Sequence, residues 1–175
     1  MRIANWKWTQ DIEKQILKEI EGIQGIIIHI CSATSGIGDI RIDRWAKHDY
    51  AGSRKMFGLP NIIADYRWLP LKSGSASVVI CDPPYSPERR GKEFPEVVNE
   101  IVRIAKPGAK ILWVCPWILY HKCVEPQSLY LHPGSIFPSY KILSISKKIL
   151  AQIDDPAYIS IAKERLRLNE QLVTE

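Results

Sequence analysis

The chain has no apolar run approaching the roughly 20 residues that a membrane-spanning helix needs. Its start, "MRIANWKWTQDIEKQ", has neither the apolar stretch nor the small-residue cleavage site of a secretory leader. These absences set the expectation of a cytoplasmic protein with no membrane partner. There is no C-x-x-C pair among Cys31, Cys81, Cys115 and Cys123. His121 and Cys123 stand close together, but no second pair follows at zinc spacing. No metal site is expected. Cys31, Cys81 and Cys115 each end an apolar run, where a reduced thiol behaves as a small hydrophobe. The chain also lacks internal repeats, low-complexity segments and a linker. Its 175 residues therefore read as one domain over 1–175, long enough to bury a core without staples.

What is present is globular in balance: 46% of residues are hydrophobic and 25% charged, neither depleted nor extreme. A formal net charge of +5 and an isoelectric point near 9.0 admit a polyanionic partner such as nucleic acid without requiring one.

Periodicity then divides the chain. Residues 9–22 predict a helix, with Ile12, Ile16 and Ile20 recurring every four residues, Thr9 as cap and Gly22 as stop. Ile26 to Cys31 is a continuous apolar run, as a strand covered on both faces requires. The small-residue loop "SATSGIG" follows, then a second short strand over Ile40 to Asp43. Residues 45–60 read as loop. "NIIAD" and "ASVVICD" supply a third and a fourth strand. "FPEVVNEIVRIA" is a helix with Val97, Ile101 and Ile104 on one face, and "AKILWVC" is a fifth strand. Residues 116–138 read as irregular, and "SYKILSISKKIL" as a pair of strands bent into a hairpin. A closing helix is expected over 155–170, capped by Asp155 with Pro156 in its first turn.

Apolar strands alternating with helices or long crossings predict an α/β, Rossmann-like domain. Its core, over 25–150, is a mostly parallel sheet of about seven strands with helices on both faces. Ligands of such sheets lie beyond the C-terminal ends of the strands. That rule singles out "CSATSGIGD", "RID", "IADY", "CDPPY" and "VCPW". One spacing conflicts with the pattern. Parallel crossovers normally need a dozen or more residues, and Cys31 to Ile40 is too short for a full helix. Either the crossover helix is absent or the second strand lies elsewhere.

Three stretches carry a resemblance: Asp82-Pro83-Pro84-Tyr85 at the end of the fourth strand, "ADYRWLPLKSGSASVVI" before it, and "EIVRIAKPGAKILWV" after it. Together they resemble class I S-adenosylmethionine-dependent methyltransferases. More narrowly they are similar to the amino-methyltransferases of nucleic-acid bases, whose signature is Asp, Asn or Ser, then Pro-Pro, then an aromatic residue. The resemblance implies S-adenosylmethionine as cofactor and nucleic acid as partner. DNA stands ahead of RNA, with adenine N6 as the first target and an RNA base as the alternative. No large insertion offers a target-recognition region, so sequence-specific reading would need residues 116–138, a second copy or a separate recognition subunit. A non-catalytic donor-binding subunit is the alternative of another class.

The resemblance also implies roles. The Asp82 side chain and the Pro83 carbonyl would accept hydrogen bonds from the target amine, Pro84 would stiffen the turn, and Tyr85 would stack on the base, worth roughly 1–3 kcal/mol. Cys31, Ser32, Gly36 and Gly38 belong to the loop that holds the methionine part of the donor. Asp43 stands where the family's ribose-binding acid does, and Asp65 where an acid meets the donor adenine. "AQIDDPAYISIAKERL" is a rival location for the ribose acid, with Asp154 and Asp155, as in permuted members. Arg89 and Arg90 would meet phosphates, and Trp117 is a candidate pocket wall. Each residue also has a plainer reading: "DPPY" as a rigid turn, the acids as solvated strand ends, the arginines as a solvated loop.

Overall fold

The computed structural model describes residues 8–33, 35–44, 60–84, 94–133 and 140–149. Tyr85, Arg89, Arg90 and the expected helix over 155–170 lie outside the described residues. In chain order the elements are α1 (Gln10–Ile20), β1 (Ile27–Ile30), β2 (Ile40–Asp43), β3 (Ile62–Ile63), β4 (Ala76–Cys81), α2 (Phe94–Ile104), β5 (Ala105–Cys115), β6 (Val124–Pro133) and β7 (Tyr140–Lys148). The strands form one seven-stranded sheet in the order β3-β2-β1-β4-β5-β7-β6. β1 to β5 run parallel, and β7 runs antiparallel to both β5 and β6. This is the expected Rossmann-like α/β sheet, with a helix on each face.

Each helix covers the sheet with the stripe its sequence announces. The Thr9 hydroxyl accepts from the Ile12 amide and starts α1. Ile12 and Ile16 are then fully buried on Val78, Ile80, Leu112, Val114, Leu143 and Ile145. Burying each such side chain contributes about 1.5–3 kcal/mol. On the opposite face α2 packs Val97, Ile101 and Ile104 into a cluster with Ile28, Ile30, Val79 and Ile111. β4, the central strand, is buried along its whole length, which explains why Val78 to Cys81 reads as an apolar run.

Polar residues of α2 fix the segment that feeds β4. The buried Glu100 carboxylate accepts from the Leu69 amide at 3.0 Å and pairs with Arg103 at 2.8 Å. Arg103 also donates to the Leu69 carbonyl at 3.0 Å and to the Leu71 carbonyl at 2.7 Å. The two charges thus neutralise each other and satisfy loop backbone groups that burial would otherwise strand. The Lys148 ammonium, buried at the end of β7, donates to the Val102 and Ala105 carbonyls at 2.7 Å each and closes the C-terminal end of α2. Burial pushes its pKa down.

The structure resolves the spacing conflict: β2 lies where the sequence puts it, and no crossover helix occurs among the described residues 31–33 and 35–39, which run beside β1. Ile37 packs into the cluster under α1, and the Asp39 carboxylate accepts from the Ile27 amide at 2.9 Å. Two expectations are corrected. Residues 116–138 are not irregular throughout, because Val124–Pro133 forms edge strand β6. And "SYKILSISKKIL" is not a hairpin by itself: Tyr140–Lys148 is a single strand, β7, which pairs with β6. Pro126 sits where the β6–β7 register shifts. On an edge strand its missing N–H removes no ladder bond that the fold needs.

Candidate active site

The parallel register brings the C-terminal ends of β1, β2 and β4 to one edge. Ile30 pairs with Ile42 on one side and with Cys81 on the other. Cys31 and Ser32, Asp43, and Asp82 with Pro83 therefore project from neighbouring strand ends. Asp65 follows β3 by two residues and Trp117 follows β5 by two.

The loop leaving β1 is unusually shaped. Cys31 and Ala33 both have left-handed backbones, with φ of 58° and 47°. For residues with a Cβ such angles are uncommon and cost energy, and they concentrate where a loop must hold a ligand. The buried Asp43 carboxylate accepts from the Ala33 amide at 2.9 Å, and the Ser32 amide donates to the Ile42 carbonyl at 3.1 Å. Two bonds thus tie this loop to the end of β2. Ser32 is 2% exposed, and its hydroxyl has no hydrogen-bond partner among the described residues. A buried hydroxyl left so costs about 1–3 kcal/mol, which a bound polar group can return. Gly36 is exposed in the same loop. Gly38 is not brought to this edge. It lies beside Ile27 at the opposite end of β1, with φ of 99°, where an added Cβ would come within 3.2 Å of the His29 Cβ.

Asp65 is engaged by its own neighbour. Arg67 donates to both carboxylate oxygens, at 2.9 and 2.8 Å, and the Arg67 amide bonds Oδ1 at 2.9 Å. This bonding holds the Asp65 carboxyl below its usual pKa. The Arg67 guanidinium in turn lies 4.3 Å from the ring centre of the exposed Trp68.

At the end of β4 the Asp82 side chain is 11% exposed. Its Oδ2 accepts from the Trp8 indole N–H at 2.6 Å and from the Lys141 ammonium at 3.4 Å. Pro83 is buried and Pro84 exposed. Beneath them, burial pushes the thiols of Cys81 and Cys115 up, so both stay protonated hydrophobes. All four cysteines are free. Trp117 packs edge-on against Phe94 at 4.9 Å, and its carbonyl accepts from the Trp113 indole. No group of three or more His, Cys, Asp or Glu able to hold a metal occurs among the described residues.

Sequence reasoning missed three members of the site: Trp8, His29 and Lys141. Trp8 stacks on the buried His29 ring at 4.9 Å and 19°. The only signal was a histidine inside the apolar run "IIIHI", a polar ring placed where a strand should be dry. Lys141 is the second residue of β7, in the segment that the sequence reads as a hairpin.

No protein-family model matches the chain, and no curated protein matches its sequence. Solved structures do match in shape. A SAM-dependent methyltransferase from Methanosarcina mazei superposes with a TM-score of 0.56 at 11% identity, over 83% of this chain and 100% of that one. A SAM-dependent methyltransferase from Aquifex aeolicus gives 0.50 at 13% identity, over 78% and 89%. The 16S rRNA (adenine(1408)-N(1))-methyltransferase from Catenulisporales acidiphilia, at 0.47 and 14% over 87% and 98%, is too distant in shape to bear on substrate. The first two likenesses show that the chain has the Rossmann-like fold of SAM-dependent methyltransferases.

Proposed function

We propose that this protein transfers a methyl group from S-adenosylmethionine to an exocyclic amino group of a nucleic-acid base, with adenine N6 in DNA as the first target. The observation that carries this reading is Asp82. It is a carboxylate at the C-terminal end of the central strand, it is followed by two prolines, and donor-only side chains hold it in place.

An exocyclic amine is a poor nucleophile because its lone pair is delocalised into the ring. The Asp82 carboxylate and the Pro83 carbonyl accept its two N–H bonds and favour a more tetrahedral nitrogen. Two prolines fix φ through the turn, so these acceptors are set before the substrate arrives. As the nitrogen bonds the methyl carbon, the methyl–sulfur bond breaks, S-adenosylhomocysteine is the leaving group, and the nitrogen gives up one proton to water. Bound S-adenosylmethionine supplies the electrophilic methyl group. The residues at the ends of β1 and β2 fit such a donor. The Ser32 hydroxyl is buried without a partner among the described residues, the loop carries left-handed backbones at Cys31 and Ala33, and Asp43 offers a carboxylate to ribose hydroxyls.

The test is transfer from labelled S-adenosylmethionine to separate pools of DNA, RNA and protein, followed by nucleoside identification. Label in N6-methyladenine from DNA is the expected result. Label in an RNA base would move the substrate to RNA. Label in no pool, with the donor nonetheless bound, would make the chain a donor-binding subunit.

A further inference from the structure

Trp8 and Lys141 come to Asp82 from 74 and 59 residues away in sequence, and both bond the same oxygen. Trp8 stands just before α1, and Lys141 stands on β7. Neither donor is loosely placed. The Trp8 ring stacks on His29, which is 1% exposed. The Nδ1 of His29 lies 3.1 Å from the Ile37 carbonyl and donates to it. Ile37 belongs to the crossover that descends from the loop after β1. A contiguous series of contacts therefore runs from that crossover through His29 and Trp8 to the Asp82 carboxylate.

The chemistry of the two donors is one-sided. An indole N–H and an ammonium can donate hydrogen bonds and cannot accept them. A hydroxyl or an amide in their place could reverse its role and let the carboxyl become a donor. A carboxyl with little exposure is pushed by desolvation toward its neutral form, in which one oxygen carries a proton. Such a proton, or a rotated carboxylate, would face the amine with the wrong polarity. Two donor-only partners, one of them charged, work against both faults.

We propose that Trp8 and Lys141 are positioning residues for methyl transfer, which hold the Asp82 carboxylate in one rotation and as an acceptor only. The inference rests on the reading of Asp82 as the acceptor of the target amine. Neither residue touches the reacting atoms in this scheme. Both act through Asp82, and their effect belongs in turnover rather than in donor affinity.

The experiment uses the full chain, an adenine-containing DNA duplex and an RNA of the same sequence as substrates, and S-adenosylhomocysteine for calorimetric titration. Trp8→Phe keeps an aromatic ring on His29 and removes the N–H together with part of the indole. Lys141→Met keeps the stem and removes the charge, and Lys141→Arg returns a donor. Each of the first two is expected to lower kcat about tenfold, the order expected when a hydrogen bond to a charged group is lost. KM and the S-adenosylhomocysteine Kd should stay within about twofold, and Lys141→Arg should recover most of kcat. Unchanged kcat in both Trp8→Phe and Lys141→Met, with Asp82→Ala inactive, would overturn the positioning role and leave the reading of Asp82 standing. An active Asp82→Ala would overturn both. A higher kcat/KM in Trp8→Phe would mean that the indole occupies the place of the amine, which also overturns the proposal. A readout independent of turnover is the Trp8 indole N–H resonance, identified by its loss in Trp8→Phe. It should move in Asp82→Asn, and an unmoved resonance would contradict the contact.

Discussion

The Ala33 amide donates to the Asp43 carboxylate at 2.9 Å, so the end of β2 holds the loop that leaves β1. The bond also offsets part of the cost of the left-handed backbone at Ala33. Asp43→Ala removes both the loop anchor and the carboxylate proposed for the donor ribose. It is expected to weaken S-adenosylhomocysteine binding at least tenfold and to destabilise the fold by about 1–3 kcal/mol. Asp43→Asn keeps an acceptor for the amide and should recover most of the stability. Calorimetric titration beside urea unfolding separates the two effects, and wild-type binding by Asp43→Ala would remove Asp43 from the donor site.

His29 makes stability depend on pH. Burial lowers its pKa from 6.5 to about 4. The unfolded chain therefore takes up this proton near pH 6.5, and the folded chain only near pH 4. Stability from this group is complete above pH 6.5 and is lost progressively as the pH falls toward 4, by about 3 kcal/mol in all. His121, whose pKa burial also lowers, adds a contribution of the same sign. Replacing His29 by Phe keeps a flat ring beneath Trp8 and removes the titration. Unfolding free energies at pH 7, 6 and 5 should fall less steeply in that variant, and an identical slope would contradict a neutral, buried His29.

Gly38→Ala should disturb the same platform. The new Cβ would meet the His29 Cβ at 3.2 Å and the Ile27 carbonyl at 3.3 Å, on a backbone with φ of 99°. A loss of more than about 1 kcal/mol is expected, since the conformation itself disfavours a side chain there. Thermal unfolding measures it, and an unchanged midpoint would mean that the crossover yields at no cost.

Arg89 and Arg90 follow the Asp-Pro-Pro-Tyr turn in sequence. If both meet phosphates, replacing both by Ala should weaken binding to a DNA duplex and reduce the slope of log K against log salt by about 0.9 per lost contact. Affinity for S-adenosylhomocysteine should not change. An unchanged slope would leave this loop solvated.

The parts of the molecule that a sequence can show are those whose cause is local. β1, β4 and β5 read as strands because cover on both faces demands largely apolar runs, here interrupted by His29, Ser77 and Lys110. Ile12 and Ile16 announce the buried stripe of α1 for the same reason. β6 stays hidden because an edge strand carries Pro126, exposed Leu129 and exposed Leu131, and so lacks both the purity and the alternation of a core strand. The short crossover is visible as a conflict with chain length, yet its solution depends on Ile37 and Asp39 meeting β1 in three dimensions. Asp82-Pro83-Pro84 at the end of β4 draws attention to the candidate site in the sequence, but the partners of Asp82 are set by topology. β7 comes to lie beside β5, and α1 starts at the edge where β4 ends, and no spacing in the sequence encodes either approach.

The central claim is that Asp82 receives the amine that is methylated. Single-turnover transfer by Asp82→Ala, on the substrate that wild-type protein labels, tests it most directly when paired with titration of S-adenosylhomocysteine. Transfer should fall by about 10²–10³, the loss typical of one preorganised polar contact to a reacting group, while the Kd for S-adenosylhomocysteine stays within about twofold. Near-normal transfer by Asp82→Ala would contradict the account.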